Sequence, residues 1–270
     1  MRTDEYARMY RLEDHHWWFV ARRRLATRLL RRHLRVAGPP LVLDLGCGTG
    51  AVSRDLARWA GWRRPEPSGA GPCRARGLTR LVQATVERLP FGTATVDAVV
   101  ALDIVEHVAD DARALAEVAR VLKPDGLLVL SVPAFQSLWS PHDLALMHER
   151  RYRLPQVRRS LQAAGLAVEG ASYALWVLFP AFVASRLRAR FRTGDASAEI
   201  WELHPWVNRA LVALQDAEGY LASRLRLSWG SSVVAVGRKP GLQPPASARA
   251  GGDPPGTGAE LSIGRAARSC

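Results

Sequence analysis

Short apolar runs and amphipathic stretches alternate along the first half of the chain. The runs LVLDL, TRLVQATV, TVDAVVALDIV and LLVLSVP occupy residues 41–45, 79–86, 95–105 and 127–133. Each run has the length of a strand, and its almost continuous hydrophobicity is typical of a strand that is buried on both faces. The segment DDARALAEVARVL, between the last two runs, has the spacing of an amphipathic helix. This alternation predicts an α/β fold with a doubly wound, mostly parallel, Rossmann-like sheet.

Helical and strand patterns also flank this central region. Residues 5–36 have apolar positions at helical spacing, and the GPP sequence that follows ends the predicted helix. Further along, LPQVRRSLQAAG predicts a helix, LAVEGASYA a strand, and SSVVAVGRK a last strand at the sheet edge. We therefore expect an N-terminal helical cap, a Rossmann-like core, a helical insertion or lid, a last core strand and a disordered tail, at residues 1–40, 41–172, 173–227, 228–240 and 241–270.

Net charge alone says little about a partner. The chain carries a formal net charge of +13, which invites a nucleic-acid interpretation. Of its 38 basic residues only Lys123 and Lys239 are lysines, and such a bias toward arginine is typical of GC-rich coding. Because no nucleic-acid-binding motif accompanies the charge, we do not expect nucleic acid as a partner.

The cysteines and the N-terminal sequence bear on the compartment. Cys47, Cys73 and Cys270 are odd in number and far apart, which predicts neither a disulfide framework nor a zinc site. The charged N-terminus does not have the pattern of a signal peptide, and the apolar run at residues 173–184 is too short to span a bilayer. We expect a cytoplasmic protein without a metal site, and contact with a membrane surface is left open.

The sequence DLGCGTG joins the first predicted strand to the helix that follows it. Its glycines, Gly46, Gly48 and Gly50, allow positive φ angles and a close approach of the backbone to a ligand. Asp44 lies at the carboxyl end of the strand, where its carboxylate can accept hydrogen bonds from a cationic group. The spacing differs from the GxGxxG turn of nicotinamide oxidoreductases. A ligand with an amino-acid end group fits the acid better than a pyrophosphate does.

Several ordered motifs together resemble a known family. VLDLGCGTG, LVQATVERLPF and VDAVVALDIVEHVADDARALAEVARVLKPDGLLVLSVPA are similar to successive motifs of the class I S-adenosylmethionine-dependent methyltransferases, of the bacterial type 11 kind. The resemblance covers residues 44–134. It implies a seven-stranded sheet whose last strand is antiparallel, with S-adenosylmethionine as the cofactor lying across the strand ends.

The resemblance also assigns residues to the cofactor. It places the methionine part of S-adenosylmethionine on the glycine turn and its adenine beside the segment before LPF, and it puts an acidic residue at the end of the fourth strand. Glu106 and His107 match the family's EH pair, which shapes the site more often than it performs chemistry. The cofactor residues that it implies are Asp44, Gly46, Cys47, Gly48, Gly50, Thr85, Val86 and Asp103. Thr85 stands where the family usually has an acid, and this difference weakens the predicted binding of the adenine group.

The segment RWAGWRRPEPSGAGPCRARG, at residues 58–77, departs from the family pattern. A second strand ending in the acid that binds the ribose hydroxyls belongs here, but prolines remove ladder donors and paired arginines would be buried. One interpretation is a natural loop in which Glu66 replaces the acid. The other, which we favour, is a local reading-frame shift, because the neighbouring frame permits GGVDLSPAERAL. Either way, we expect weaker cofactor binding than in an intact relative.

Polar side chains follow the fifth strand of the family pattern, over the reactive end of the cofactor. His142, Asp143 and His148 are the candidate catalytic residues, because methyl transfer to oxygen or nitrogen needs a base or a positioning group. The alternative is that these groups hold a lid by hydrogen bonds among themselves. EDHHWWF, at residues 13–19, resembles a recurrent opening of a bacterial subgroup, and it either caps the substrate cavity or anchors the first helix.

Residues 173–192 combine aromatic residues with arginines, which suits an interfacial helix on anionic lipid, a lid or a dimer surface.

The sequence as a whole predicts an S-adenosylmethionine-dependent methyltransferase that acts on a small-molecule or lipid-linked acceptor. The alternative is an impaired relative that has lost cofactor binding. An RNA methyltransferase is motivated by charge alone.

Overall fold

A computed structural model of the chain describes residues 3–59, 72–78, 80–190 and 203–241. The strands are β1 Val42–Leu45, β2 Val96–Leu102, β3 Leu122–Pro133, β4 Ala167–Ala174 and β5 Ser232–Arg238. The α-helices are α1 Thr3–Leu12, α2 Trp17–His33, α3 Ala51–Trp59, α4 Pro72–Ala75, α5 Asp111–Val121, α6 Pro141–Ala145, α7 Leu154–Ala163, α8 Phe179–Arg190 and α9 Pro205–Ala222. Short 3-10 turns lie at Val105–His107 and Gln136–Leu138.

The strands form one mixed sheet in the order β1-β2-β3-β5-β4. β1 pairs with β2 and β2 with β3 in parallel, whereas β5 runs antiparallel to both β3 and β4. The predicted doubly wound, mostly parallel fold with an antiparallel last strand is confirmed. The resemblance implied seven strands, and the described residues contain five. The second strand of the family pattern was expected within residues 58–77, of which 60–71 lie outside the described residues.

Helices cover both faces of the sheet, as its nearly continuous hydrophobicity requires. One cluster of buried side chains joins the strands to α5 and α7, and a second joins them to α2 and α3. Successive residues of β2 point to opposite clusters: Val99 lies in the first and Val100 in the second. On the α2 side, α9 packs against α2. The carboxyl ends of β1, β2 and β3 therefore open at one edge of a rigid core.

The last strand does not lie at the sheet edge, so that prediction was wrong. β5 is hydrogen-bonded on both sides, between β3 and β4, and all seven of its residues are buried. The edge position belongs to β4, which begins with half-exposed and exposed residues, including Glu169. An uninterrupted apolar run such as SVVAV is what an interior strand needs, since both of its faces are covered.

A strand over residues 79–86 is also a wrong prediction. Residues 80–84 have no ladder partner, and Leu81 and Val82 are 38% and 59% exposed. Thr85 makes one isolated antiparallel bridge, to Arg88. A strand needs a neighbouring strand for its backbone groups, and β1 is the outermost strand on this side of the described sheet. Within the described residues no strand lies beside residues 80–86, and their apolar pattern alone does not form one.

The single helix predicted over residues 5–36 is divided into α1 and α2. The break falls at residues 13–16, where His16 is the N-cap of α2 and its ring accepts a hydrogen bond from the Trp18 amide. The predicted positions of β1, β2, β4, β5, α5 and α7 match the structure to within a few residues, whereas β3 begins five residues earlier than predicted, at Leu122. None of the described helices is long and apolar enough to cross a membrane.

Residues 1–240 and 241–270 form separate units. The predicted disordered tail, apart from Gly241, lies outside the described residues. The reading-frame hypothesis concerns residues 61–72, all of which except Pro72 also lie outside them. The predicted helical insertion contains α8 and α9, but its first residues, Tyr173 and Ala174, belong to β4 and are buried.

Candidate functional site

The glycine turn after β1 has the conformation that its sequence predicts. Gly46, Gly48 and Gly50 have φ angles of +64°, +54° and +92°, in the left-handed region that favours glycine. A Cβ at position 46 would lie 2.5 Å from Ile104 Cδ1, and one at position 50 would lie 2.6 Å from Leu78 Cδ1. Side chains at these two positions would therefore fill the turn. The positive φ angles and these close contacts explain why the turn has glycine at positions 46 and 50.

Asp44 lies in β1, beside this turn. The hydroxyl of Ser53, in α3, donates a hydrogen bond to Asp44 Oδ2 over 2.5 Å. Burial, together with the nearby Glu13 carboxylate, raises the pKa of Asp44 to about 7, although the hydrogen bond from Ser53 lowers it. A carboxylate in so unfavourable an electrostatic position is stabilised by a cation. Asp44 is thus suited to accept a protonated amine.

The break between α1 and α2 is fastened to the glycine turn by Arg76, which is 3% exposed. Arg76 Nη2 donates to Glu13 Oε2 over 3.2 Å, and Nη1 donates to Asp14 over 2.7 Å. Its Nε donates to the carbonyl of Thr49, inside the turn, over 3.0 Å. Thr49 in turn donates its hydroxyl proton to Glu13. The EDHH sequence that was singled out as a cap is therefore held against the turn, and sequence reasoning missed Arg76.

Asp103 lies just after β2, with a φ of +49°. Its Oδ1 accepts a hydrogen bond from the hydroxyl of Ser131 over 3.0 Å, and its Oδ2 pairs with Arg22 of α2. The Arg22 guanidinium also lies 5.7 Å from the ring centroid of Trp18, and its buried Nε has no hydrogen-bond partner in the described structure. The N-terminal cap thus contributes a cation to the strand ends. In the sequence, the only feature that pointed to a role for Arg22 was Trp18, which lies one helical turn before it on α2.

Glu106, His107 and His148 come together beside Asp103. Their candidate ligand atoms all lie within 4.8 Å of one another, and the two histidine rings are 4.7 Å apart in an edge-to-face arrangement. Glu106 is 0% exposed, and neither of its carboxyl oxygens has a hydrogen-bond partner within the described part of the chain. Burial raises the pKa of Glu106 well above its usual range, and Asp103 raises it further. No such cluster was predicted, because His148 is distant in sequence from the EH pair.

Asp143, fully buried, is the centre of a hydrogen-bond network in the loop after β3. Its Oδ1 accepts from His148 Nδ1 over 2.9 Å and from Arg151 Nε over 2.7 Å. Its Oδ2 accepts from the amide and hydroxyl of Ser140 over 2.9 and 3.2 Å. Burial raises the pKa of Asp143, but the hydrogen bonds from His148 and Arg151 outweigh it and lower the pKa overall. Asp143 is therefore an anionic anchor whose ring partner is His148.

The remaining predicted residues have different surroundings. His142 is half-buried in α6, and burial, aided by the positive charge of Arg186, lowers its pKa to about 4. It is neutral near pH 7. On the predicted adenine side, Thr85 is exposed, whereas Val86 is half-buried and packs against the sheet cluster that includes α5. Cys47 is half-buried in the glycine turn.

The helix α8 closes over the Asp143 loop. Arg186 of α8 donates a hydrogen bond to the Ser140 hydroxyl over 2.5 Å, and its guanidinium lies 4.7 Å from the ring centroid of Phe182. Beneath α2 and α9 there is a cavity of about 20 Å³, lined by Arg22, Ser131 and Glu218 among others. Apolar and cationic groups thus meet near the strand ends.

Comparisons with known proteins agree with this geometry. A family model described as a methyltransferase domain matches residues 43–130. The ubiquinone biosynthesis O-methyltransferase of Xanthomonas oryzae is 31% identical over 202 residues, which are 67% of this chain and 74% of that protein. The dimethylglycine N-methyltransferase of Parasynechococcus marenigrum is 38% identical over 105 residues, 34% and 37% of the two chains.

Solved structures show the same fold. A Thermotoga maritima S-adenosylmethionine-dependent methyltransferase, described as a possible histamine N-methyltransferase, aligns with a TM-score of 0.52 at 16% identity, over 87% of this chain and 95% of that one. The 1,6-didemethyltoxoflavin-N1-methyltransferase of Burkholderia thailandensis, which holds 1,6-didemethyltoxoflavin and S-adenosylhomocysteine, aligns with a TM-score of 0.50 at 18% identity, over 88% and 86%.

Proposed function

Because this chain belongs to the class I S-adenosylmethionine-dependent methyltransferases, we propose that it transfers a methyl group to an oxygen or nitrogen of a small-molecule or lipid-linked acceptor. The observation that carries the proposal is the pairing of Asp44 with the glycine turn. A half-buried carboxylate whose pKa is raised to about 7 lies next to a glycine turn that has no space for side chains at positions 46 and 50.

The residues of the turn have distinct roles in cofactor binding. Asp44 would accept hydrogen bonds from the amino group of the methionine part, and the backbone of Gly46, Cys47 and Gly48 would hold that part of the cofactor. Bound S-adenosylmethionine supplies a methyl group on a sulfonium, which is electrophilic. The chain's own task is alignment and exclusion of water. The N-terminal cap serves that task, because Arg76 fastens it to the turn.

The acceptor is assigned to the cluster of Glu106, His107 and His148. His148 is the base in this proposal, because Asp143 binds its Nδ1 and thereby directs Nε2 to an acceptor proton. The unpartnered carboxyl group of Glu106 is held neutral by burial and can donate a hydrogen bond to the same acceptor. Asp143 is a positioning residue, since its oxygens are already occupied by His148, Arg151 and Ser140.

The similar proteins support a low-molecular-weight acceptor. Their names include an O-methyltransferase of ubiquinone biosynthesis, a dimethylglycine N-methyltransferase and a toxoflavin-precursor methyltransferase. A lipid-linked acceptor would agree with peripheral membrane contact through the helical insertion. Since residues 173–175 are buried, such contact is proposed only for the part from Trp176 onward, where Leu187 is exposed between arginines.

The second candidate function is that of an impaired relative with weak cofactor binding. It is favoured by the lack of a strand at residues 80–84 and by the position of β1 as the outermost described strand. In this candidate the fold persists because β2, β3, β4 and β5 carry most of the buried core. The glycine turn remains, but its support on the ribose side is lost.

Incubation with methyl-labelled S-adenosylmethionine tests the choice between the two. The folded protein is mixed with fractionated metabolite and lipid extracts, and labelled products are separated by polarity. We expect transfer to a low-molecular-weight or lipid fraction, and loss of transfer in Asp44→Asn. Label in no fraction, from a protein with a native circular dichroism spectrum, would favour the impaired relative.

A further inference from the structure

Two cysteines that the proposed reaction does not use lie side by side at the glycine turn. Cys47 is in the turn and Cys73 is in α4, and their Sγ atoms are 3.9 Å apart. We propose that Cys47 and Cys73 are an oxidation site, which forms a reversible disulfide that weakens binding at the glycine turn. The disulfide itself is independent of the proposed function, whereas its effect on S-adenosylmethionine rests on that function.

The geometry requires only a small movement. A disulfide has an S–S distance of about 2.0 Å, so the two sulfur atoms need to approach by roughly 2 Å. Cys47 stands between Gly46 and Gly48, whose backbone is free of the usual side-chain restrictions. Cys73 Sγ already donates a hydrogen bond to the Gly48 carbonyl over 3.3 Å. The movable partner is therefore Cys47, and it lies on the segment that would touch the cofactor.

The environment distinguishes the two thiols chemically. The hydrogen bond from Cys47 lowers the pKa of Cys73, with a smaller contribution from the Arg76 guanidinium, whereas the same contact raises the pKa of Cys47. Thiolates are the nucleophiles in thiol oxidation, so Cys73 reacts first, once it has lost the proton that it donates to the Gly48 carbonyl. Cys73 is 6% exposed, which favours a small oxidant such as hydrogen peroxide over a bulky disulfide.

The oxidation then takes place in two balanced steps. The Cys73 thiolate attacks one peroxide oxygen, the O–O bond breaks, and hydroxide leaves as a sulfenic acid forms on Cys73. Cys47 loses its proton, attacks the sulfur of that sulfenic acid, and expels the hydroxyl group as water. Two thiols are oxidised to one disulfide and one peroxide is reduced to two waters. A thiol reductant reverses the change.

The expected consequence follows from the position of Cys47. Pulling its sulfur toward α4 moves the backbone of the turn and removes the Cys73 hydrogen bond from the Gly48 carbonyl. The oxidised turn therefore has a different shape from the one that fits the cofactor.

Mass mapping tests the disulfide. Reduced Cys270→Ser protein is treated with hydrogen peroxide, its remaining thiols are alkylated, and it is digested with trypsin. We expect one linked peptide pair containing Cys47 and Cys73, which disappears on reduction and never forms in Cys73→Ser. Alkylation of both cysteines after peroxide, or oxidation of Cys73 to a sulfinic acid without a link, would overturn the proposal.

Calorimetric titration of the oxidised and reduced Cys270→Ser protein with S-adenosylhomocysteine tests the consequence. We expect the affinity to fall by about tenfold or more on oxidation and to return on reduction. Equal affinities in a protein that contains the linked peptide pair would overturn the regulatory effect alone. If neither form binds, the effect on the cofactor is overturned together with the proposed function, while the linked peptides would still establish the oxidation site.

Discussion

His148 Nδ1 donates a hydrogen bond to Asp143 Oδ1 over 2.9 Å, and Asp143 is fully buried. The same oxygen also accepts from Arg151, so the carboxylate is ionised and fixed in place. An imidazole held in this way has a defined tautomer, with Nε2 free to accept a proton. Asp143 thus positions His148 as the base. The loop after β3, which the apolar strand pattern does not describe, brings the two residues together.

The first prediction concerns His148 as the base. We expect His148→Gln to lower kcat by about a hundredfold or more, because general-base catalysis contributes on that order. The affinity for S-adenosylhomocysteine, measured by calorimetry, should be unchanged. His15→Gln is the matched control, because His15 is exposed beside the break between α1 and α2. Full activity in His148→Gln would show that alignment alone suffices.

The second prediction concerns Arg76, which fastens the N-terminal cap to the glycine turn. In Arg76→Ala the buried Glu13 loses its cation, and we expect the free energy of unfolding to fall by about 3 kcal/mol. Arg74→Ala, two residues earlier in α4 and exposed, should change it by less than about 0.5 kcal/mol. Urea denaturation measures both. Equal, small effects would mean that the cap is not held by this contact.

The third prediction is a pH dependence of cofactor binding. Asp44 has a pKa of about 7, so it is largely neutral in the acidic range and becomes a carboxylate as the pH rises. Affinity for S-adenosylhomocysteine should therefore increase by up to about tenfold per unit between about pH 5 and about pH 7. It should fall again above about pH 8, where the ligand amine loses its proton. Calorimetry across this range should show no rise with Asp44→Asn.

The fourth prediction concerns Glu106, the buried acid without a partner. Since its pKa is raised in the folded protein, the folded state holds its proton to higher pH than the unfolded state does, and stability is lost as the pH rises. Glu106→Gln keeps the shape without the ionisation. The variant should match the wild type in acid and exceed it in stability by a growing margin toward about pH 8. Parallel stability curves from urea titrations would contradict a raised pKa.

Much of the fold was predictable because the evidence for it is local. The sheet strands β1, β2 and β3 are apolar runs bounded by turns, and α5 has a regular amphipathic pattern. The glycine turn and Asp44 were predictable for the same reason, since their conformation depends on neighbours in sequence. The structure places them at the carboxyl end of β1, as expected.

The errors and omissions arise from contacts between distant residues. Residues 79–86 have strand-like composition, yet a strand needs a partner, and the described residues place no strand on the outer side of β1. The interior position of β5 depends on where β4 pairs. Three contacts of the site join segments that are far apart in sequence: Arg22 with Asp103, Arg76 with Glu13, and Glu106 with His148. Periodicity and motif spacing carry no information about such pairings.

The most direct test of the central claim is a calorimetric titration of the wild type and Asp44→Asn with S-adenosylhomocysteine at about pH 7.5, where Asp44 is mostly ionised. We predict measurable binding by the wild type, with a dissociation constant weaker than about 10 µM because of the altered ribose side, and at least about tenfold weaker binding by the variant. A dissociation constant below about 10 µM for the wild type would contradict only the prediction that the altered ribose-binding segment weakens cofactor binding. Equal affinities of the two proteins, or no binding by folded wild type, would contradict the assignment of the cofactor to this turn.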